Sequence, residues 1–419
     1  MRLLRFLAGL IIVVLSAYFL YFWPMRNPHP ASHPARGILA IRDARVYVSP
    51  DLTALDRVTV VIRDGVIEAV ASDVAIPAGA RIIPCNHCVI TAGFWNAHVH
   101  FTEPKWSWAA WKSAATLNPQ LADMLTSRGF TTVADLGSDP RNTLSLRRRI
   151  ESGELLGPKI YTSGPPQYPP DGIPYYLADL PFFVRWGMPQ PDTPEDAARD
   201  EERNIVRGAD LLKLFTGSYV ARGKVLPMPE ENARAAVAVA HAQHQLVFAH
   251  PSNLAGTRVA LDSGVDVLAH APDSPEGIDQ AFVWSIVAHR IAMVPTLQMF
   301  AETVTTDPAY LDPIYAIVRR FHALGGELIF GTDVGYMRDY SIDNELRSLE
   351  KCGLTAPEVL RMLTTAPAER FGVSGERGTV APGKAADLVV LDADPAQDIT
   401  AFARVTATIR DGRVLYPKK

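Results

Sequence analysis

Two histidines, His98 and His100, stand one residue apart in the run TAGFWNAHVHF at positions 91–101. On a β-strand that spacing turns both imidazoles to one face, where their nitrogens suit a divalent cation such as Zn2+. Alone the pair says little, because 11 histidines in 419 residues give roughly 0.3 such pairs by chance. Other ligand types are needed where a shared site would place them. Lys213 in LLKLFTG, His250 in LVFAHPSN, His270 in VLAHAP and Asp333 in FGTDVG each fall in or just after a short apolar run.

Those runs belong to a repeating pattern. Eight β-type stretches, VITAGFWN, TTVADLG, KIYTSG, DLLKLF, LVFAH, VDVLAH, IAMVPTL and LIFGTD, are generally separated by amphipathic segments such as PEENARAAVAVAHAQH. The alternation predicts parallel βα units, and eight of them over this length fit a closed (β/α)8 TIM barrel of the α/β class. An open doubly wound sheet is the alternative, but no Gly-rich phosphate fingerprint follows the first strand. In a barrel, chemistry gathers at the carboxyl ends of the strands. Read there in order, the first strand supplies His98 and His100, the fourth Lys213, the fifth His250, the sixth His270 and the eighth Asp333. Four of the 11 histidines are sorted to one end, which favours a metal site over chance.

Three echoes, IRDARVYV from Ile41, VIRDGVIEAV from Val61 and IRDGRVLY from Ile409, read as β-hairpin segments, two of them with Asp-Gly turns. Both ends of the chain therefore build one small β-sandwich domain. The expected organisation is an N-terminal apolar segment over 1–25, a Pro-rich linker over 26–36, sandwich over 37–90 and 373–419, and the barrel over 91–372.

The set His-x-His, Lys, His, His, Asp on these strands resembles the amidohydrolase superfamily of metal-dependent hydrolases, closest to its prolidase-like, imidazolonepropionase-related branch, where the fourth strand supplies a lysine. The closing run GTVAPGKAADLVVLDADP is typical of that superfamily, and the resemblance covers nearly everything after the linker. Two departures stand near the pair: Ala92-Gly93-Phe94 where Pro-Gly-Phe is usual, and Asn96 where Asp is usual. Neither is a family ligand position. The resemblance implies that His98, His100 and Asp333 hold one divalent ion, most simply Zn2+, and His250 and His270 a second, with Lys213 bridging them as a carbamate. A buried amine beside cations has the depressed pKa that carbamate formation needs. A metal-bridging hydroxide would then attack an amide-type C–N bond, as in a dipeptide or N-acyl amino acid, with Asp333 as catalytic proton carrier. A lactone or cyclic amide is an alternative substrate for the same centre. A mononuclear deaminase-like enzyme leaves Lys213 without a role. A non-catalytic binding module, membrane-anchored like the enzyme reading, would be expected to have lost ligands.

Around the mouth, Tyr219 is a candidate to contact the substrate carbonyl, Arg338 to pair with a substrate carboxylate, and Tyr336 overhangs the same end. Trp106, Trp108 and Trp111, and the long Pro- and aromatic-rich loop after the third strand, would wall or cover the cleft. His241 and His244, three apart on a helix at the wrong end of the barrel, read as surface or capping residues; His29, His33, His289 and His322 carry no spacing signal.

With 48% hydrophobic and 21% charged residues the chain is globular, and a net charge of −4 argues against a nucleic-acid partner, leaving a small-molecule substrate. Residues 6–24 contain no charge, follow Arg2 and Arg5 and end in an aromatic cluster. They predict a transmembrane helix acting as a signal anchor, with a cleaved signal peptide as the competing reading. The catalytic body is then expected to be exported, periplasmic or extracellular. Cys85 and Cys88 are read as turn and strand cysteines able to pair in an oxidising compartment, and Cys352 as a lone core residue. A homo-oligomer is compatible with all of this.

Overall fold

The computed structural model describes residues 9, 12, 29–51, 53–83, 85, 87–180, 182–304 and 307–417. Its larger part is an eight-fold βα ring. The first three strands, Phe94–Val99, Phe130–Asp135 and Lys159–Thr162, pair in parallel, as do the next four, Leu211–Leu214, Leu246–Ala249, Val267–Ala269 and Ala292–Val294. Gln167, whose amide reaches the Lys213 carbonyl (3.0 Å) and whose carbonyl accepts from the Phe215 amide (2.9 Å), joins the two sets. The eighth element, around residues 328–334, is extended but irregular. It bonds to the seventh strand (Ile329 N to Met293 O, 2.9 Å) and to the first (Ala97 N to Phe330 O and Asp333 N to His98 O, both 2.8 Å), which closes the ring.

Buried on both faces, these strands are apolar almost throughout; every residue of Phe130–Asp135 is shielded from solvent. The surrounding helices start and stop where their chemistry directs. Pro194–Arg207, for example, opens on Thr193, whose hydroxyl accepts from the Asp196 amide, has Pro and two acids in its first turn, and ends on Gly208 in the left-handed region.

The first predicted run divides at Gly93. Phe94–Val99 enters the barrel, whereas Val89–Ala92 lies in an eight-stranded sheet made from both chain ends. Within that sheet Val89–Ala92 pairs parallel to Ile38–Val46 and antiparallel to Leu388–Leu391. Its two Asp-Gly hairpins are real: Asp64-Gly65 and Asp411-Gly412 have φ of 50° and 86°, and 47° and 74°, the paired positive values of a type I′ turn. A bidentate ion pair from Arg410 to Glu151 (2.6 and 2.7 Å) fastens this sheet to the end of barrel helix Pro140–Glu151. Arg377 bridges Asp387 and Asp411 beside it.

The membrane anchor requires correction. Among the described residues no helix is long and apolar enough to cross a membrane. The longest, Pro194–Arg207, has 14 residues and is heavily charged; it would span roughly 21 Å against a hydrocarbon core of about 30 Å. The expected transmembrane helix, and with it the membrane partner and the anchored, exported location, is therefore not supported. Residues 6–24, on which that expectation fell, lie outside the described residues except for Gly9 and Ile12. Further along, His33, Ala35 and Ser32 of the Pro-rich run bond to Glu151 and Asp411 of the body. Cys85 and Cys88 are joined in a disulfide, and Cys352 is a buried free thiol.

Candidate metal centre

Strand geometry brings the six predicted ligands to one end of the ring. His98 and His100 leave the first strand with ring centroids 5.2 Å apart; His98 lies 4.5 Å from His270, and His270 lies 4.8 Å from His250. Asp333 sits among them. Its Oδ1 is 2.9 Å from His100 Nε2 and 3.4 Å from His98 Nε2, and its Oδ2 is 3.9 Å from His270 Nε2. Ligand atoms of His98, His270 and Asp333 fall within 4.8 Å of one another, close enough for one ion. Lys213 is buried below, its Nζ donating to the Ala269 carbonyl at 3.0 Å, and His250 stacks on Phe215 at 4.7 Å.

The second nitrogen of two imidazoles fixes which way the first one faces. His100 Nδ1 is 3.2 Å from the Gly137 carbonyl, which only accepts, so Nδ1 carries a proton and the neutral form of the ring has its lone pair on Nε2. His270 Nδ1 lies 2.6 Å from the Thr296 hydroxyl, which donates to the Pro295 carbonyl and so accepts from the ring. The 2.9 Å contact of His100 Nε2 with the Asp333 carboxylate is favourable when a cation lies between the two atoms or a second proton is on the ring. His98 Nδ1 is buried with no hydrogen-bond partner among the described residues.

Electrostatics agree. Burial, reinforced by Lys213 and, for His98 and His270, by the neighbouring rings, holds His98, His250 and His270 well below the ordinary histidine value, so they stay neutral, the form that can bind a metal. Burial also pulls His100 down, but adjacent Asp333 outweighs it and the net shift is upward. Burial lowers Lys213 to about 7, partly opposed by Asp333, which leaves a large neutral fraction at physiological pH. A close set of four imidazoles, three of them held neutral by burial, an amine with a large neutral fraction and one carboxylate fits divalent cations.

Backbone strain marks the same spot. Asp333 and Thr296 have φ of 62° and 49°, a left-handed conformation that is unusual for a β-branched residue. Gly335 (φ 98°) passes so near His100 that a Cβ would lie 1.8 Å from its carbonyl oxygen, so only glycine lets the eighth loop close over the pair.

Residues that the sequence reading missed stand directly behind the ligands. Asp135 ends the second strand and accepts from Thr143 and Thr162 (both 2.9 Å) and from Ser138, whose hydroxyl in turn takes the Phe101 amide at 2.7 Å; this fixes the loop leaving His100. Its place at a strand's carboxyl end was the available signal. Asn96, noted only as a departure, ties the first strand to the eighth through Thr332 (Nδ2 to Oγ1, 2.7 Å). Thr296 had no signal.

The mouth is more aromatic than expected. Tyr175, Tyr176 and Tyr336 form a chain of rings 5.7 and 5.8 Å apart, partly open to solvent. Tyr219 has its phenol engaged: it donates to Asp273 Oδ2 at 3.0 Å and meets the Ser274 hydroxyl at 2.6 Å. Arg338 is exposed five residues past Asp333. Trp106 is buried, whereas Trp108 and Trp111 are exposed. The decoy histidines stay away from the centre: His241 pairs with Asp266 and His322 with Glu358. A cavity of about 790 Å³ opens at the opposite end of the barrel, near Leu246, Ile291 and Leu328, and none of the six candidates lines it.

Comparison with known proteins accounts for this architecture. The amidohydrolase family matches residues 89–415. Among solved structures, a prolidase complexed with N-methylphosphonate-L-proline superposes with a TM-score of 0.74 at 25% identity, covering 90% of this chain and 99% of that one. A Xaa-Pro dipeptidase with bound methionine in its active site gives 0.77 at 21% identity over 90% and 99%. Ochratoxinase of A. niger gives 0.72 at 21% over 90% and 95%. No curated protein matches significantly. The chain belongs to the amidohydrolase family, on its prolidase-like side, and is a metal-dependent hydrolase of amide-type C–N bonds.

Proposed function

We propose that the chain cleaves the amide of dipeptides or N-acyl amino acids at a binuclear centre. His98, His100 and Asp333 would hold one divalent cation and His250 and His270 the other, with Lys213 as a bridging carbamate. The observation that carries this reading is the convergence of four imidazoles and the Asp333 carboxylate at one end of the barrel, with ligand atoms of His98, His270 and Asp333 within 4.8 Å of one another. Lys213 supports it: burial lowers its pKa to about 7, so a neutral amine is available to take up carbon dioxide.

Bound there, divalent cations supply Lewis acidity and a nucleophilic water at neutral pH. The chain's own residues do the rest. Asp333, held rigidly at the end of the eighth element, takes the proton of the attacking water on a carboxylate oxygen and returns it to the leaving amine. Thr296 and the Gly137 carbonyl keep His270 and His100 in their ligating tautomers. Arg338, exposed at the mouth, is assigned to the substrate carboxylate. Tyr219 can turn to the substrate carbonyl only by giving up its bond to Asp273, so its first role is to shape the mouth.

The test is a screen of the metal-loaded protein against dipeptides, N-acyl amino acids and lactones. Release of amino acid from either of the first two classes is expected. Cleavage confined to lactones would transfer the assignment to ester chemistry, and no cleavage of any class would remove it.

A further inference from the structure

One carboxylate at the mouth takes no part in the metal centre. Asp273 follows His270 by three residues, on the loop after the sixth strand. Two tyrosines from different loops, Tyr219 and Tyr310, donate to the same oxygen, Oδ2, at 3.0 and 2.7 Å. Among the described residues no side chain donates to Oδ1 and Asp273 forms no ion pair, though its own backbone amide adds a hydrogen bond to the carboxylate. A shielded carboxylate is normally paired. Nearby Glu276 adds negative charge, and both burial and that charge raise the Asp273 pKa to about 6.

Its position relative to the metal centre is defined by ring contacts. His270 touches Phe300 at 5.9 Å, Phe300 touches Tyr310 at 6.4 Å, and Tyr310 holds Asp273. The Tyr176 phenol is within electrostatic reach of both Asp333 and Asp273, whose charges help to raise its pKa. Tyr176 is anchored by its ring contact with Tyr336, three residues beyond Asp333. Asp273 is thus a carboxylate without an ion-pair partner among the described residues, held by two tyrosine hydroxyls on the loop that follows His270. Carboxylate and aromatic faces together are the chemistry that binds an organic ammonium.

We propose that Asp273 is a specificity-determining residue that receives a positively charged amine of the substrate. The inference rests on the proposed amide-hydrolase reading for its location and deepens it, because it favours substrates carrying an ammonium over neutral acyl analogues. The ammonium has two sources, the free N-terminus of a dipeptide or a basic side chain, and the same carboxylate serves either.

Matched ligands separate them. Glycyl-phenylalanine and acetyl-phenylalanine differ only in the α-ammonium; acetyl-lysine and acetyl-norleucine differ only at the end of the side chain. Binding of all four to the metal-loaded protein is measured by calorimetry, and hydrolysis is followed in parallel, for the native chain and Asp273→Asn. Asparagine keeps an oxygen to accept both tyrosine hydroxyls, so the loops stay joined. The native protein is expected to prefer the cationic member of at least one pair by about tenfold or more, and Asp273→Asn to lose that preference while binding the neutral member as before. An equal affinity for both members of both pairs in the native protein, or a preference that survives in Asp273→Asn, overturns the proposal. Loss of binding to cationic and neutral members alike in the variant also overturns it, as a merely structural effect. Failure to hydrolyse any of the four would count against the amide-hydrolase reading, while the binding ratios still judge Asp273.

Discussion

Thr296 holds His270 from behind: the ring Nδ1 lies 2.6 Å from a hydroxyl whose own hydrogen goes to the Pro295 carbonyl, so the imidazole must be the donor. The relationship links a strained backbone to ligand chemistry. Thr296 adopts its left-handed conformation at the end of the seventh strand, and that places Oγ1 against the ring. Replacing Thr296 by Val keeps the shape and removes the acceptor. Metal affinity, titrated with zinc against a competing chelator, should fall by about 10- to 100-fold while the fold persists. Unchanged affinity would show that the tautomer is set by something else.

Glu201 yields a prediction about stability and pH. It is fully buried in helix Pro194–Arg207, and burial pushes its pKa from 4.5 up to about 8. The folded chain therefore keeps a proton that the unfolded chain releases near 4.5. Stability is greatest at low pH on this account and declines as pH rises through the window between those values. Glu201→Gln removes the linkage. Its melting temperature should exceed that of the native chain by a few degrees at pH 8, and the gap should shrink towards pH 5. A gap that does not vary with pH would refute the linkage.

The buried pair Glu151–Arg410 is expected to matter most when half of it is removed. Glu151→Ala takes from the Arg410 guanidinium its close partner and leaves it only Asp411 at 3.4 Å where the small sheet meets the barrel, at a cost of about 3 kcal/mol. Replacing both by apolar residues of similar size should recover much of that loss. Denaturant titration of the single and double variants separates the two outcomes, and equal destabilisation by both would contradict the argument.

How much of this could be read in advance depends on the kind of residue. His98, His100, Lys213, His250, His270 and Asp333 were legible because strand ends are short apolar runs and ligand types are rare there. The alternation that made the barrel legible also set their order. What stayed hidden were groups whose role depends on a tertiary neighbour: Thr296 is ordinary until His270 lies against it, and Asp273 until Tyr310 arrives from 37 residues away. The eighth strand reads as regular because Leu328, Ile329 and Phe330 form a short apolar run like those of the other strands, yet the left-handed turn at Asp333 and the close passage at Gly335 break the ladder where the chemistry needs it. The apolar N-terminal run misled in another way. Its uncharged length, the arginines before it and the aromatic cluster at its end suggested a span, and no described helix is long and apolar enough to provide one.

Metal content tests the central claim most directly. Purified without chelator, the native chain is expected to carry two divalent ions, and Lys213→Ala one or none. A native chain that binds no divalent metal, even when zinc and bicarbonate are supplied, would contradict the account.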